Sequence, residues 1–261
     1  MSLSILHCTY RPGGLKLLAD CLDVQTDRDF ELLVVDDCPS RWEVAYDYLY
    51  NSLGFKPHIR FCGPSKKQPF PDAKVGIANA RNTALPNVRT SHLLFVDDYL
   101  WLPKTAIADW KKAIERHGPN AIITGGGRVY GASRPPDNFY PDGSLNYNHA
   151  WKDPQPTLRW KWDWIPDVYE GYSCVPMEFF HKTNGMDERA DACTCFIPQS
   201  IVAQGGQLGY RFVVDKSIVC RMIDHRIWHV GELDLDGPWR INAYSFVPEE
   251  PVWKIPSQRS D

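Results

Sequence analysis

Two short apolar runs in the first hundred residues each end in a pair of aspartates. Phe30 to Val35 precedes Asp36-Asp37, and Leu93 to Val96 precedes Asp97-Asp98. Continuous apolar runs of this length predict buried strands, because a half-exposed strand would alternate polar and apolar residues. The sequence therefore places acidic side chains at the ends of two core strands.

The order of elements at the start of the chain favours a parallel sheet. Ser4 to Thr9 is a third strand-like run, and apolar residues at helical spacing from Leu15 to Leu22 separate it from the strand at Phe30. A strand, helix, strand order is typical of α/β sheets, whose ligands bind at the carboxyl ends of parallel strands. Polar residues at those ends are candidates for a binding site.

Further elements are predicted along the rest of the chain. The apolar patterns indicate strands at 59–62, 121–124, 210–214 and 217–222, and helices at 42–53, 77–85, 104–116 and 198–208. From Gly131 to Pro176 the chain is rich in Pro, Asn, Tyr and Trp with weak periodicity, which indicates long ordered loops.

Composition and charge exclude few classes of protein. The 261 residues include 43% hydrophobic and 23% charged residues, which is ordinary for a globular protein of one domain or two fused halves. A net charge of −3 provides no general attraction for a polyanion. The amino terminus lacks a basic start followed by a long apolar run, and no apolar run of membrane-spanning length appears later, so we expect a soluble, cytoplasmic protein.

The Asp97-Asp98 pair has the chemistry of a site for a hard divalent cation. Mg²⁺ and Mn²⁺ favour oxygen ligands and bind through one or two carboxylates together with phosphate oxygens. Two acids at the end of a strand also commonly cap the next helix or face solvent, so the pair alone is a weak signal.

Four motifs, in order, resemble those of the family 2 glycosyltransferases with the GT-A fold. They are the opening strand and turn Ser4 to Arg11, the second strand Phe30 to Asp37, the helix Gly76 to Asn82 with its Ala-Arg-Asn, and the strand Leu93 to Asp98. The resemblance implies a Rossmann-like three-layer sandwich, with helices on both faces of a mixed, mostly parallel sheet. It also implies inverting transfer of a sugar from a nucleotide-diphosphate sugar, with a UDP-sugar favoured, to an acceptor hydroxyl with Mn²⁺ or Mg²⁺.

The resemblance also assigns roles in binding the donor. It implies that the nucleotide-sugar is bound by residues at the ends of the strands and on the helix: Thr9, Tyr10, Arg11, Asp36, Asp37, Arg81 and Asp97. One of the aspartates of the Asp36-Asp37 pair would accept a hydrogen bond from a ring N–H of the base, and the other could cap a turn.

The implied metal ligands are Asp97 and Asp98, with His225 or His229 as a third ligand. The family's Asp-x-Asp would place an acid where this chain has Tyr99, which leaves the adjacent pair as ligands. Imidazole suits Mn²⁺, although a histidine with a purely structural role is the alternative for either position.

The resemblance places the catalytic base on the acceptor side of the site. Asn184 to Glu188 resembles the family's Gly-Phe-Asp-Glu motif, but the acidic pair that normally follows would fall at Ile197-Pro198, and neither side chain can remove a proton. We therefore expect Asp191 to be the base, with Asp187 or Glu188 as alternatives.

The acceptor is left open by the sequence. Trp160, Trp162 and Trp164 share one face if the chain is extended there, and indoles either form platforms for sugar rings or pack in the core. We interpret them as an acceptor platform for a glycan, a small molecule, a protein or a modified DNA base. The expected division is a donor half at 1–100, an acceptor half at 101–236 and an extended tail at 237–261.

Three other functions are alternatives for this sequence. A catalytically degenerate sugar-nucleotide-binding protein would account for the missing acidic pair. A nucleotidyltransferase would need a longer, more basic glycine-rich loop than Tyr10 to Gly14, and a dinucleotide-dependent oxidoreductase would need Gly-x-Gly-x-x-Gly after the first strand.

Overall fold

The structure is a computed structural model of the chain. It describes residues 2–9, 14–36, 49–51, 53–55, 57–63, 76–97, 100–130, 158–159, 171–193 and 197–222. Several residues predicted to be functional lie outside these ranges, namely Tyr10, Arg11, Asp37, Asp98, Trp160, Trp162, Trp164, His225 and His229. The tail from 237 and most of the helix predicted at 42–53 lie outside them as well.

Strands and helices alternate through the described residues. In order they are β1 (Leu3–Thr9), α1 (Gly14–Asp23), β2 (Phe30–Asp36), β3 (His58–Phe61), α2 (Ile77–Ala84), β4 (His92–Phe95), β5 (Leu100–Trp101), α3 (Ala106–His117), β6 (Ala121–Tyr130), β7 (Leu158–Arg159), β8 (Ser173–Pro176), α4 (Met177–Thr183), α5 (Ile197–Gln207) and β9 (Arg211–Met222). A 3₁₀ helix at Leu85–Asn87 follows α2, and another spans Glu188–Cys193 between α4 and α5.

The nine strands of the described residues form one mixed sheet in the order β3-β2-β1-β4-β8-β6-β9-β5, with β7 paired to β6. β3, β2, β1 and β4 are parallel neighbours, and β6 and β9 form a long parallel ladder. β8 joins the two parallel groups by pairing antiparallel to β4 and β6. The α/β fold class predicted from the sequence is confirmed.

Alternation along the central strands divides the apolar residues between two cores. In β2, Leu32 and Val34 belong to one core cluster, and Leu33 and Val35 belong to the other. Successive side chains of a strand point to opposite faces, so each cluster marks one face of the sheet. Helices cover both faces, which confirms the predicted three-layer arrangement.

The first core lies between the sheet and helices α1 and α3. Its largest buried pair is Trp110 of α3 against Tyr172, whose rings meet edge to face with centroids 5.1 Å apart. The second core contains residues of α2 and α4, including Phe180, whose ring meets that of Phe95 on β4 at 6.1 Å. Aromatic pairs of this kind add about 0.5–1.5 kcal/mol beyond the area that they bury.

The structure corrects several predicted boundaries. The loop predicted from Gly131 to Pro176 ends in a buried strand, β8, and a short helix that was not predicted, α4, follows at once. β6 continues through its three glycines to Tyr130 rather than ending at Thr124. The two strands predicted at 210–214 and 217–222 are one strand, β9.

A bulge explains why the sequence pattern of β9 indicated two strands. Gly125 is paired with Asp215 and Gly127 with Val219, so β9 carries extra residues at this point. The Asp215 carboxylate accepts hydrogen bonds from the N–H and hydroxyl of Ser217 and from His117 at the end of α3. These contacts lower the pKa of Asp215 below its usual range although burial opposes them. The polar residues in the middle of β9 therefore belong to a bulge rather than a turn.

No helix among the described residues is long and apolar enough to cross a membrane.

We predict opposite effects for alanine at two glycines of the sheet and of α5. A Cβ on Gly125 would lie 2.6 Å from Cδ1 of Tyr172 and 3.0 Å from Cγ2 of Ile218, both within the packed core. Gly125→Ala should lower the free energy of unfolding by about 1–3 kcal/mol. Gly206→Ala is the matched control, because a Cβ there meets nothing within 4 Å and alanine favours a helix. Urea denaturation measures both, and an equally stable Gly125→Ala protein would contradict the packing described.

Candidate functional site

The carboxyl ends of β1, β2 and β4 lie side by side. Thr9 and Asp36 are register partners at the ends of β1 and β2. On the other side of β1, Leu6 is paired with Phe95, and the N–H of Val96 donates to the Leu6 carbonyl at 3.0 Å. Because the strands are parallel, Thr9, Asp36 and Asp97 lie at the same edge of the sheet.

The three side chains at this edge differ in exposure. Thr9 and Asp36 are buried, whereas the side chain of Asp97 is 23% exposed. The backbone of Asp97 is anchored, since its N–H donates to the carbonyl of Gly171 at 2.9 Å. Asp97 thus presents a partly exposed carboxylate from an anchored backbone at the carboxyl edge.

Arg81 reaches the same edge from α2, which packs on one face of the sheet. Its guanidinium lies over the ring of Phe95, 4.5 Å from the centroid, and its Nη2 is 3.6 Å from Oδ1 of Asp97. The side chain is only 3% exposed, and its Nη1 has no hydrogen-bond partner in the described part of the chain. Buried polar groups are almost always hydrogen-bonded, so the unsatisfied guanidinium nitrogen of Arg81 is an exception that calls for an explanation.

Asp191 supplies the amino-terminal cap of α2 from a distant part of the chain. The residue before α2 is Gly76, which has no side chain to cap the helix. Instead the N–H groups of Ala78 and Asn79 donate to Oδ1 and Oδ2 of Asp191, at 2.7 and 2.9 Å. A carboxylate also suits the positive end of the helix dipole.

Glu188 joins two asparagines of α2. Its Oε2 accepts from Nδ2 of Asn79 at 3.1 Å, and its Oε1 accepts from Nδ2 of Asn82 at 2.9 Å. Asn82 also exchanges hydrogen bonds with the backbone of Met186, donating at 2.8 Å and accepting at 2.8 Å. Together with the Asp191 cap, these contacts fix α2 to the segment from Met186 to Cys193.

Asp187 is occupied by a neighbour in sequence. Its Oδ1 accepts from the backbone N–H and Nε of Arg189, and its Oδ2 accepts from Nη2, all at 3.0 Å. The Asp187 carboxylate is fully buried, so this fork-shaped contact supplies the charge partner that a buried carboxylate requires.

The pKa of the Asp191 carboxyl group is shifted from its usual range. Burial raises the pKa of Asp191 to about 6, and the negative charge of Glu188 acts in the same direction. The two N–H groups of α2 and the charge of Arg81 lower the pKa and only partly offset the burial. A carboxyl group with this pKa changes charge near neutral pH.

The structure places the described candidate residues in two connected groups. Thr9, Asp36, Asp97 and Arg81 lie at the carboxyl edge, and Asp187, Glu188 and Asp191 lie around the beginning of α2. No group of three or more potential metal ligands occurs within the described residues. Of the four predicted metal ligands, Asp97 lies within those residues, and Asp98, His225 and His229 lie outside them.

Sequence reasoning did not predict the clamp formed by Asn79 and Asn82. A signal was present, because two asparagines three positions apart lie on the same face of a helix. Their shared partner, Glu188, follows more than one hundred positions later and could not be inferred from local spacing.

Comparisons with known proteins give matches by shape alone. No protein-family model and no curated protein sequence matches this chain. The mannosyltransferase PcManGT from Pyrobaculum calidifontis, in complex with GDP-Man and Mn²⁺, matches 87% of the chain with a TM-score of 0.56 at 17% identity. S. aureus TarS 1–349 in complex with UDP-GlcNAc matches 95% of it with a TM-score of 0.56 at 17% identity. The chain has the GT-A fold.

The GT-A fold of this chain corresponds to only part of the matched proteins. The chain spans 58% of PcManGT, 62% of TarS 1–349 and 37% of the longer TarS chain. Those proteins therefore carry additional residues that have no counterpart in the alignment with this chain.

We predict that Asn82→Ala strongly destabilises the GT-A fold. The substitution removes three hydrogen bonds and leaves Oε1 of Glu188 and the Met186 backbone unsatisfied, which should cost about 2–4 kcal/mol. Asn120→Ala is the matched control, because Asn120 is exposed and its side chain forms no hydrogen bond within the described residues. Thermal denaturation with circular dichroism measures both, and similar melting temperatures would argue against the clamp.

Proposed function

We propose that this chain is a glycosyltransferase that moves a sugar from a nucleotide-diphosphate sugar to an acceptor hydroxyl with inversion at the anomeric carbon. Its GT-A fold resembles PcManGT and TarS, whose structures contain GDP-Man or UDP-GlcNAc. The sequence from Tyr10 to Gly14 is shorter and less basic than the glycine-rich loop that a nucleotidyltransferase needs.

The observation that carries the proposal is the unsatisfied guanidinium nitrogen of Arg81. A diphosphate at the carboxyl edge would accept a hydrogen bond from Nη1, which now has no partner among the described residues. The position fits because Arg81 already lies beside the partly exposed carboxylate of Asp97. Arg81 would thereby bind the diphosphate and offset part of its charge.

A divalent cation fits the acidic side of this edge. Asp97 offers a partly exposed carboxylate, Asp98 follows it, and carboxylates combined with phosphate oxygens form the ligand set that Mg²⁺ and Mn²⁺ prefer. We propose Asp97 and Asp98 as ligands, with His225 or His229 as a third. When bound, the ion would stabilise negative charge on the leaving diphosphate.

The nucleoside would lie along the ends of β1 and β2. We propose that Thr9, Tyr10 and Arg11 border the base and that Asp36 or Asp37 accepts a hydrogen bond from its ring N–H. We propose a UDP-sugar as the favoured donor, whose uracil has such a ring N–H. Asp36 is buried beside Thr9, where an acceptor for a base would be shielded from water.

We propose Asp191 as the base, with Asp187 as the alternative. A base works best when its pKa is near the operating pH, and the pKa of Asp191 is raised to about 6. Each Asp191 oxygen accepts one N–H group from α2 and retains a second lone pair. The acceptor hydroxyl would give its proton to Asp191 as its oxygen bonds to the anomeric carbon. The bond from that carbon to the diphosphate oxygen would break, releasing the nucleoside diphosphate.

The acceptor would be bound by the second half of the chain. We propose that residues 1–100 bind the donor and that residues 101–236, with Trp160, Trp162 and Trp164, bind the acceptor. We propose a cytoplasmic location and an acceptor that is a glycan, a small molecule, a protein or a modified DNA base.

A second candidate function is a sugar-nucleotide-binding protein without turnover. The helix that should begin with an acidic pair is α5, and its first turn contains no acidic residue. Binding of nucleotide-sugars without release of sugar, across a panel of acceptors, would favour this candidate.

We predict that Asp97→Asn abolishes activity without unfolding the protein. Release of sugar from UDP-, GDP- and dTDP-sugars with Mn²⁺ should fall by about 100-fold or more, because the substitution removes a charged metal ligand. Asp109→Asn is the control, since Asp109 lies on α3 in an ion pair with Lys112 at the surface.

Chelation of the metal with EDTA should lower wild-type activity to the level of Asp97→Asn. Full activity of the folded Asp97→Asn protein, with or without EDTA, would overturn the metal-dependent mechanism.

We predict that Arg81→Lys weakens donor binding. Lysine keeps the charge but loses the planar donor group that reaches both Asp97 and the diphosphate, so the affinity for UDP should fall about tenfold or more. Arg28→Lys is a matched control, because Arg28 also stacks on a phenylalanine ring, that of Phe55 at 4.7 Å. Arg28 is exposed and precedes β2, at the opposite end of that strand from the carboxyl edge. Isothermal titration with UDP and Mn²⁺ measures the affinity, and equal values for both variants would exclude Arg81 from the donor site.

A further inference from the structure

Glu188 is the acid that joins two side chains of α2. It is 4% exposed, and each of its carboxylate oxygens already accepts an amide hydrogen bond from α2. Its partners Asn79 and Asn82 are three positions apart, so the carboxylate spans one face of the helix.

The same helix carries Arg81 toward the carboxyl edge. A helix fixed at two points on one face cannot rotate about its axis or slide along it without breaking both contacts. Arg81 points in a different direction around the axis of α2 from Asn79 and Asn82. The contacts of these asparagines with Glu188 fix the rotation of the helix, and therefore where the guanidinium lies relative to Asp97 and Phe95.

We propose that Glu188 is a positioning residue that bridges Asn79 and Asn82, and thereby aims Arg81 at the donor diphosphate and holds α2 against Asp191. The inference rests on the proposed function, because it assigns Glu188 to the support of that site rather than to proton transfer. A buried carboxylate in this place accepts one amide donor at each of its two oxygens, whereas a glutamine would turn an NH₂ donor toward one of the two asparagine amides.

The charge of Glu188 has a second effect that a purely structural residue would lack. The charged groups near it are Asp191 and Asp187 with its partner Arg189 on the same segment, and Arg81 on α2. The negative charge of Glu188 contributes to the raised pKa of Asp191. Removing that charge should lower the pKa of Asp191, so the group would stay ionised, and able to accept a proton, at lower pH.

Glu188→Gln tests the proposal through its pH profile and donor affinity. Wild-type kcat/KM should fall below pH 6 as Asp191 is protonated, to roughly a tenth of the plateau at pH 5. In Glu188→Gln this acidic limb should move to lower pH, while KM for the donor rises by roughly threefold or more through misplacement of Arg81. Glu115→Gln, the same change at an exposed site on α3, should leave both quantities unchanged.

Glu188→Asp is the second variant, because it keeps the charge and draws the carboxylate back by one methylene. Glu188→Asp should raise the donor KM without moving the acidic limb of the pH profile to lower pH. If Glu188→Gln does not fold, the donor KM of Glu188→Asp tests the positioning role. An unchanged donor KM in either folded variant would overturn that role. A kcat loss in Glu188→Gln at all pH values, with unchanged KM and acidic limb, would instead indicate that Glu188 is itself the base.

Two measurements test the positioning role even if the proposed sugar transfer does not occur. If the wild-type protein releases no sugar from any donor, the affinity for UDP measured by thermal shift replaces KM. Titration of the Asp191 carboxyl by carbon NMR then replaces the pH profile. Weaker UDP binding and a lower Asp191 pKa in Glu188→Gln would support the positioning role even in a protein without turnover, and unchanged values would overturn it.

Discussion

The parallel register of β2, β1 and β4 is the constraint on which the candidate site depends. Leu6 is paired with Leu33 on one side and with Phe95 on the other, so the three strands run in the same direction and their carboxyl ends lie at one edge of the sheet. A shift of β1 by one residue would exchange the side chains that face the two cores and would turn Thr9 away from its present direction. The packing that stabilises the sheet therefore also fixes the direction of the polar groups at its carboxyl edge.

Behind that edge the protein buries several charges that could have remained in water. Arg81, Asp187, Glu188 and Asp191 are each at most 4% exposed. Desolvation of an ion costs several kcal/mol, and here it is offset mostly by oriented N–H and amide donors and by one guanidinium. A network of this kind loses stability when any member is removed, so it favours one arrangement of α2 over nearby alternatives.

The sequence predicts the elements that carry the edge better than those that surround it. The strands that lead to Thr9, Asp36 and Asp97 are bounded by sharp changes from apolar to polar residues, and their observed limits lie within about a residue of the predicted ones. β8 and α4 were missed because their short apolar stretch follows a segment whose Pro, Asn and Trp content indicates loops. The contact between Asp191 and α2 has no local pattern, since it depends on the tertiary fold.

That contact also has a consequence for how the chain folds. Asp191 caps a helix that lies 113 residues earlier, so α2 leaves the ribosome long before its cap exists. Contacts of such wide sequence separation require closure of a long loop and form slowly. We expect the helix that bears Arg81 to be among the last parts to mature. The first hundred residues are then not an independent folding unit, and the position of Arg81 at the carboxyl edge is fixed only when the later segment has been synthesised and docked.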